Sequence, residues 1–170
     1  TSAAADSPAP THAPIQKDGK EVKILFVGWT LDDQKLDILD KDATGNDIPQ
    51  LSTSINMNQD YKVYAVWAED SNDNDVPDYQ EKAITVIFNP NGGSIASGNA
   101  SVTLEPFPDK PTYGTAPTVT PPTGQEFVNW MLQGDSTKTL GNKAGFTYDS
   151  IFEMTGGKKT TVTFEANYQS

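Results

Sequence analysis

Phe26-Val27-Gly28-Trp29 recurs as Phe127-Val128-Asn129-Trp130, 101 positions further along the chain. A second pair of segments repeats at the same spacing, because residues 61–67 read YKVYAVW and residues 162–168 read VTFEANY. The second segment alternates apolar and polar residues, as a half-buried β-strand does, and the first has apolar residues at the matching alternate positions. Because both pairs of matching segments are separated by 101 positions, we predict that a β-rich structural unit is present twice in this chain.

The two copies differ at their beginnings. The second copy opens with Ile84-Thr85-Val86-Ile87-Phe88, a turn cluster at 89–93 that contains Asn-Gly, and a further alternating stretch at 101–104. This pattern predicts a β-hairpin. The first copy has no counterpart, so either its hairpin precedes the given sequence or Val22–Leu25 provides a substitute strand. We expect the first module to be incomplete.

The chain as a whole is predicted to be mainly β, with strands near 22–29, 61–67, 84–89, 100–105, 127–132 and 160–168. Asp149–Met154 is predicted to form one helical turn that Asp149 caps. The prolines between 106 and 122 predict an extended, exposed connection. The glycine-rich stretches at 91–94 and 155–158 are interpreted as turns, because neither of them both follows a strand and opens a helix as a phosphate loop must.

Composition favours two small domains over one large one. Hydrophobic residues make up 35% of the 170 residues, which is little for a single large core. The predicted organisation is a Pro/Ala-rich leader (1–14), a first partial module (15–68), an acidic linker (69–82) and a second module (83–170).

The charge of the chain excludes two classes of partner. The net charge is −11, from 23 acidic residues and 12 lysines, and the sequence contains no arginine. We therefore expect no nucleic-acid binding and no docking on anionic lipid. The longest apolar runs are far shorter than the roughly 18 residues of a membrane span, so we expect no membrane insertion. Cysteine is absent, which indicates either a cytosolic protein or a bacterial surface protein that is stabilised by something other than disulfides, such as calcium.

A family resemblance rests on three further stretches. VIFNPNGG at 86–93, YGTAP at 113–117 and PTGQEFVNW at 122–130, followed by a closing strand, resemble the Listeria–Bacteroides repeat, the B-repeat of internalins and other bacterial surface proteins. The resemblance covers 84–168, and 26–67 matches the latter part of the same unit. Tyr168 stands where the family usually has Trp. The resemblance implies tandem β-grasp-like (α+β) modules, display on the bacterial surface or secretion, and a role in adhesion or spacing without catalysis.

The acidic segment at 69–81 carries the sharpest chemical signal. It holds six acidic residues and no lysine. The calcium loop of an EF-hand takes its oxygen ligands from positions 1, 3, 5, 7, 9 and 12. With Asp70 as position 1, the spacing predicts a Ca²⁺ site in which Val76 contributes its backbone carbonyl. The predicted ligands are Asp70, Asn72, Asn74, Val76, Asp78 and Glu81.

The same segment resembles the calcium-binding linkers of bacterial surface proteins and thrombospondin type 3 repeats. Asp75 occupies the place where that pattern has Gly, so the tight turn is possible at some cost. The alternative is a solvated linker that like charges keep extended and flexible. A second acidic stretch, 32–47, lacks the ligand spacing and is interpreted as a solvated loop.

Catalysis is not expected. His12 is the only histidine and lies in the leader, so neither a Ser-His-Asp triad nor a histidine zinc site has its parts. Trp29, Trp67, Trp130 and Tyr168 sit among alternating apolar residues and are interpreted as core, with a sugar-binding platform as the alternative. We expect a monomeric extracellular spacer or adhesion segment that calcium stiffens. The alternative is a module that binds glycan or a host or matrix protein through a sheet face or through 106–122.

Overall fold

The computed structural model describes residues 9–52, 58–107, 113–141, 145–157 and 159–170. The mainly β fold class is confirmed. Twelve strands and one α-helix lie in the described part of the chain, together with a 3-10 turn at Asp78–Gln80. In chain order they are β1 (Ile15–Lys17), β2 (Lys20–Thr30), β3 (Tyr64–Asp70), β4 (Ile84–Asn89), β5 (Ser94–Ser97), β6 (Ser101–Leu104), β7 (Tyr113–Thr115), β8 (Thr118–Thr120), β9 (Glu126–Leu132), β10 (Asp135–Gly141), β11 (Gly145–Thr147), α1 (Tyr148–Thr155) and β12 (Thr161–Gln169).

The chain divides into two compact units, Thr1–Glu81 and Lys82–Ser170. The acidic segment, expected to lie between the modules, groups with the first unit as far as Glu81. We call these unit 1 and unit 2.

Unit 1 is a three-stranded antiparallel sheet in the order β1-β2-β3. Val22 and Ile24 alternate into the interior from β2, so this part of the chain forms a strand of unit 1. On the other side, a single parallel bridge joins Leu39 to Ala68 of β3. Leu39, Val66 and Ala68 form a small buried cluster, which Tyr79 of the 3-10 turn contacts.

Unit 2 is built on a five-stranded mixed sheet in the order β10-β9-β12-β4-β6. The predicted hairpin is confirmed, because β4 pairs with β6 in antiparallel register from Ile84–Leu104 to Ile87–Ser101. The first and last strands, β4 and β12, are parallel neighbours at the centre of the sheet. The helix α1 precedes β12 and buries Ile151 in a core that Phe88, Trp130 and Phe164 share.

The strand pair common to both units has the same register in each. Phe26 lies opposite Trp67, and Trp29 lies opposite Ala65, with a β-bulge after Phe26. At the matching positions 101 residues later, Phe127 lies opposite Tyr168 and Trp130 lies opposite Ala166. The register shifts at the matching place, after Phe127. A β-bulge is a specific local feature and not a general property of sheets. Its recurrence shows that the sequence repeat is also a structural repeat.

The aromatic side chains of the two pairs also repeat their geometry. Phe26 meets Trp29 and Trp67 edge to face, with ring centroids 5.2 and 5.7 Å apart. Phe127 meets Trp130 and Tyr168 in the same way, at 5.6 and 6.2 Å. Edge-to-face contacts of this kind fix ring orientation as well as burying area.

Two predictions about unit 2 were wrong in detail. The helix begins one residue before Asp149, and its cap is Thr147, whose hydroxyl accepts from the Ser150 N–H while the Ser150 hydroxyl accepts from the Thr147 N–H. The capping residue must precede the first helical residue, and Asp149 lies inside the first turn.

The described residues of the connection from 106 to 122 are also more regular than expected. They include β7, which pairs with β11, and β8, which pairs with β5. The prolines flank these short strands and do not interrupt them, so each strand keeps the N–H groups that its pairing needs. The remainder of this prediction, at 108–112, lies outside the described residues.

Candidate calcium-binding loop

The candidate loop begins where β3 ends, at Asp70, and closes with the 3-10 turn at Asp78–Gln80. Asp73 and Asp75 both adopt the left-handed conformation, with φ of 54° and 64°. Aspartate tolerates this region better than most residues other than glycine and asparagine. The sequence expectation that Asp75 replaces a turn glycine is therefore consistent with the backbone.

From Asp70 to Val76, burial alternates in step with the predicted ligand positions. Asp70 and Asp78 are each 1% exposed, and Glu81 is 5% exposed. The side chains of Asp73 and Asp75, which were not predicted as ligands, are 77% and 79% exposed. None of the six predicted ligand residues is exposed, since Asn72, Asn74 and Val76 are half-buried. The segment is therefore not a uniformly solvated linker.

The Asp70 carboxylate organises the first half of the loop. Its Oδ1 accepts from the Asn74 N–H at 3.0 Å, and its Oδ2 accepts from the Asp75 N–H at 3.0 Å. Asp78 Oδ1 accepts from the Ser71 N–H at 2.9 Å and ties the end of the loop to its beginning. Each carboxylate oxygen has a second lone pair, so these bonds leave capacity for a cation.

The Glu81 carboxylate closes the other side of the loop. Asn72 Nδ2 lies 3.2 and 3.1 Å from the two Glu81 oxygens, and Asn74 Nδ2 lies 2.7 Å from Oε1. The side chains at positions 3, 5 and 12 of the predicted ligand pattern therefore converge. For Val76 the structure shows its N–H donating to Asn74 Oδ1, at 3.0 Å.

Positive charge reaches the loop from the neighbouring strand. Lys23 of β2 places its Nζ 2.8 Å from Asp73 and 2.6 Å from Asp75, and 3.8 Å from Asp70 Oδ2. These carboxylates raise the Lys23 pKa, the hydrogen bond to Asp73 contributing most. Next to the loop, Lys17 of β1 pairs with both oxygens of Glu69 at 2.8 Å.

Sequence reasoning did not find either lysine, because both lie about 50 residues upstream of the loop. The signal that could have located them is strand register, since Lys23 lies directly opposite Asp70 in the β2–β3 pair.

The buried Asp78 carboxyl lies in an environment unfavourable to its charge. Burial raises its pKa, the hydrogen bond from Ser71 lowers it, and the negative charges of Asp70 and Glu69 add to the rise. A carboxyl whose pKa is higher in the folded state than in the unfolded state costs stability once it is ionised. A nearby cation would remove that cost.

Two rearrangements would be needed for this loop to hold calcium. In the described part of the chain, no group of three or more His, Cys, Asp or Glu residues is placed to hold a metal ion. The Asn72 and Asn74 amides present nitrogen to Glu81, and a half-turn of each amide would present oxygen instead. With that rotation and a small inward movement of the carboxylates, the donor set is the all-oxygen set that calcium prefers.

The second acidic stretch, 32–47, has a different character. Most of its residues are exposed, and they line an open depression of about 530 Å³. Asp47 accepts from the Thr44 N–H and hydroxyl, and these bonds lower its pKa. Asp40 is half-buried and the other aspartates of this stretch are exposed, so none is withdrawn from water as Asp70 and Asp78 are.

The four predicted core aromatics divide into two groups. Trp130 is fully buried in the core of unit 2, whereas Trp29, Trp67 and Tyr168 are half-buried. His12 lies edge to face with Trp67, with ring centroids 5.1 Å apart, so it contacts a tryptophan ring of the first repeat.

Comparison of the chain with protein-family models, with characterised proteins and with solved structures finds no match. The resemblance to the Listeria–Bacteroides repeat therefore stays a prediction from sequence. Across the described residues, no helix is long and apolar enough to span a membrane.

Proposed function

We propose that this chain is a non-catalytic segment of a bacterial surface or secreted protein, and that Ca²⁺ binding in the loop from Asp70 to Glu81 stiffens the end of unit 1. The observation that carries the proposal is the alternation of burial along the loop. The predicted oxygen ligands are withdrawn from solvent, while the acidic residues between them are exposed.

A solvated linker would not produce this pattern. Burying a carboxylate is costly unless the charge is paired or coordinates a metal. Three buried carboxylates lie in the loop, those of Asp70, Asp78 and Glu81, and Lys23 Nζ lies 3.8 Å from Asp70 Oδ2. A divalent cation would add positive charge among these carboxylates.

The mechanical role follows from where the loop lies in the chain. Glu81, the last predicted ligand, is also the last residue of unit 1. A cation that Asp70 and Glu81 share would fix the chain up to the first residue of unit 2. The chain would then be less flexible at this boundary, and this reduced flexibility is how we propose that the segment acts as a spacer. It would act outside the cell, where free calcium is abundant.

Calcium titration by isothermal calorimetry tests this proposal. We expect one site per chain with a Kd of about 10⁻⁴ to 10⁻³ M, the range of extracellular calcium modules. Glu81→Gln removes the carboxylate with the most contacts to the other ligands and should weaken binding by at least about tenfold.

Asp75→Asn is the matched control. It removes one negative charge from the same loop, but at an exposed position whose left-handed backbone asparagine also adopts. Calcium affinity in this variant should fall by less than about threefold. Equal losses in the two variants would mean that the loop attracts cations by charge alone.

A further inference from the structure

The structural repeat allows each core position of unit 2 to be compared with its counterpart in unit 1. Leu132 is 7% exposed and Phe164 is fully buried, whereas their counterparts Leu31 and Val63 are 46% and 41% exposed. The same loss of burial occurs at other core positions, from buried in unit 2 to half-buried in unit 1. These pairs are Trp130 and Trp29, Val162 and Tyr61, and Ala166 and Ala65.

In unit 2, the strand β4 lies beside the last strand of the repeated pair. It runs parallel to β12 from Thr161 to Glu165. Its side chains Ile84, Val86 and Phe88 are buried in the core that also holds Phe164, and the Phe88 ring meets Trp130 edge to face at 4.9 Å. One strand therefore supplies the backbone partner of β12 and part of the apolar core, to which α1 also contributes.

Among the residues that the structure describes, few cover the equivalent edge in unit 1. The counterparts of Thr161–Glu165 are residues 60–64, and only Tyr64 belongs to a strand. Among the described residues, the one backbone pairing on this edge of β3 is the parallel bridge from Leu39 to Ala68, further along the strand. A strand that runs parallel to 60–66 would continue the direction of that bridge.

Charge restricts which strand can be added. Unit 1 contains 16 acidic residues and six lysines, a net charge of −10, so an acidic strand would be repelled. The hairpin of unit 2, residues 84–104, contains no charged residue. A hairpin of this type can pair with unit 1 without bringing like charges together.

We propose that the edge of β3 at residues 60–66 accepts a strand in trans from an uncharged β-hairpin of the type formed by residues 84–104, donated by another repeat unit. The added strand runs parallel to β3, extends it toward residue 60, and packs beside Val63 as β4 packs beside Phe164. The mode of recognition is β-strand addition, in which backbone hydrogen bonds give affinity and alternate side chains give specificity. This inference does not depend on calcium binding.

The test adds a synthetic peptide of residues 83–105 to the isotope-labelled full chain and follows the amide signals by NMR. At about 1 mM peptide, a concentration that detects weak binding, we expect saturable shifts at 60–66 and slower hydrogen exchange there. The signals of unit 2, whose edge β4 already fills, should not move. Val63→Thr, which keeps strand propensity but reduces the apolar cover, should weaken binding about threefold or more.

Two controls make the result decisive. A peptide that carries Val86→Asp and Phe88→Asp should not bind, because it places charge on the face that must be buried. Ile87→Thr in the chain changes a residue of unit 2 with similar exposure and should leave peptide binding unchanged. The proposal is wrong if the peptide leaves residues 60–66 unaffected. It is equally wrong if those signals respond only to the concentration of the chain itself, since the face would then join two copies.

Discussion

Lys23 is the residue that most directly opposes a cation in the candidate loop. Its ammonium group lies within 4 Å of Asp70, Asp73 and Asp75, so it already supplies one positive charge to the carboxylates. Calcium would have to share these carboxylates with Lys23 or displace it. Lysine is a flexible point charge, and it can withdraw into solvent at small cost.

We therefore predict that Lys23→Gln increases calcium affinity by roughly threefold to tenfold, because it removes a positive charge close to the Asp70 carboxylate in a partly screened site. Lys20→Gln, at a more exposed position on the same strand, is the control and should change affinity by less than about twofold. Isothermal titration with calcium measures both. Unchanged or weaker binding in Lys23→Gln would show that the lysine does not compete with the ion.

At the scale of elements, the strands that could be predicted from the sequence are those with a periodic pattern of apolar residues. All six predicted strands are present, because alternating β-branched and aromatic residues bury one face wherever they pair. The six additional strands, β1, β5, β7, β8, β10 and β11, are short or have few apolar residues. They exist because a partner lies beside them, and pairing between distant segments is not encoded in a local pattern.

The candidate calcium site likewise has a part that the local sequence predicted and a part that it did not. The spacing from Asp70 to Glu81 was visible in the sequence, because turn residues and ligands alternate within one short segment. The approach of Lys23 and Lys17 was not visible, because it depends on the register of β2 and β1 with distant strands. Which residue caps α1 was also missed, since Thr147 and Asp149 both suit a cap and only the position of the first turn decides between them.

The capping assignment gives a prediction for α1. Thr147→Ala removes the hydroxyl that accepts from Ser150 and should lower the free energy of unfolding of unit 2 by about 1 kcal/mol. Asp149→Asn retains the cap and changes only the charge in the first turn, so its effect should be a few tenths of a kcal/mol. Chemical denaturation followed by far-ultraviolet circular dichroism measures both. A larger loss in Asp149→Asn would reverse the assignment.

At the scale of the whole molecule, the units differ in both charge and core. Unit 1 carries −10 of the net −11 and buries few apolar side chains, whereas unit 2 has a core of twelve buried residues. A small core gives a marginal fold, and self-repulsion lowers its stability further. We therefore expect unit 1 to gain more stability than unit 2 from the proposed cation in its loop or the proposed strand on its edge.

Scanning calorimetry of the full chain, with and without calcium, tests the central claim most directly because unit 2 serves as an internal reference. At 10 mM calcium and a Kd of about 10⁻⁴ to 10⁻³ M, binding should stabilise unit 1 by about 1.4 to 2.7 kcal/mol. Its unfolding transition should rise by about 5 to 20 °C, as expected for a domain of this size. The transition of unit 2 should stay within about 1 °C, and magnesium should have a much smaller effect. If calcium changes the temperature of neither transition, or raises both equally, the result would contradict a calcium site in the loop from Asp70 to Glu81.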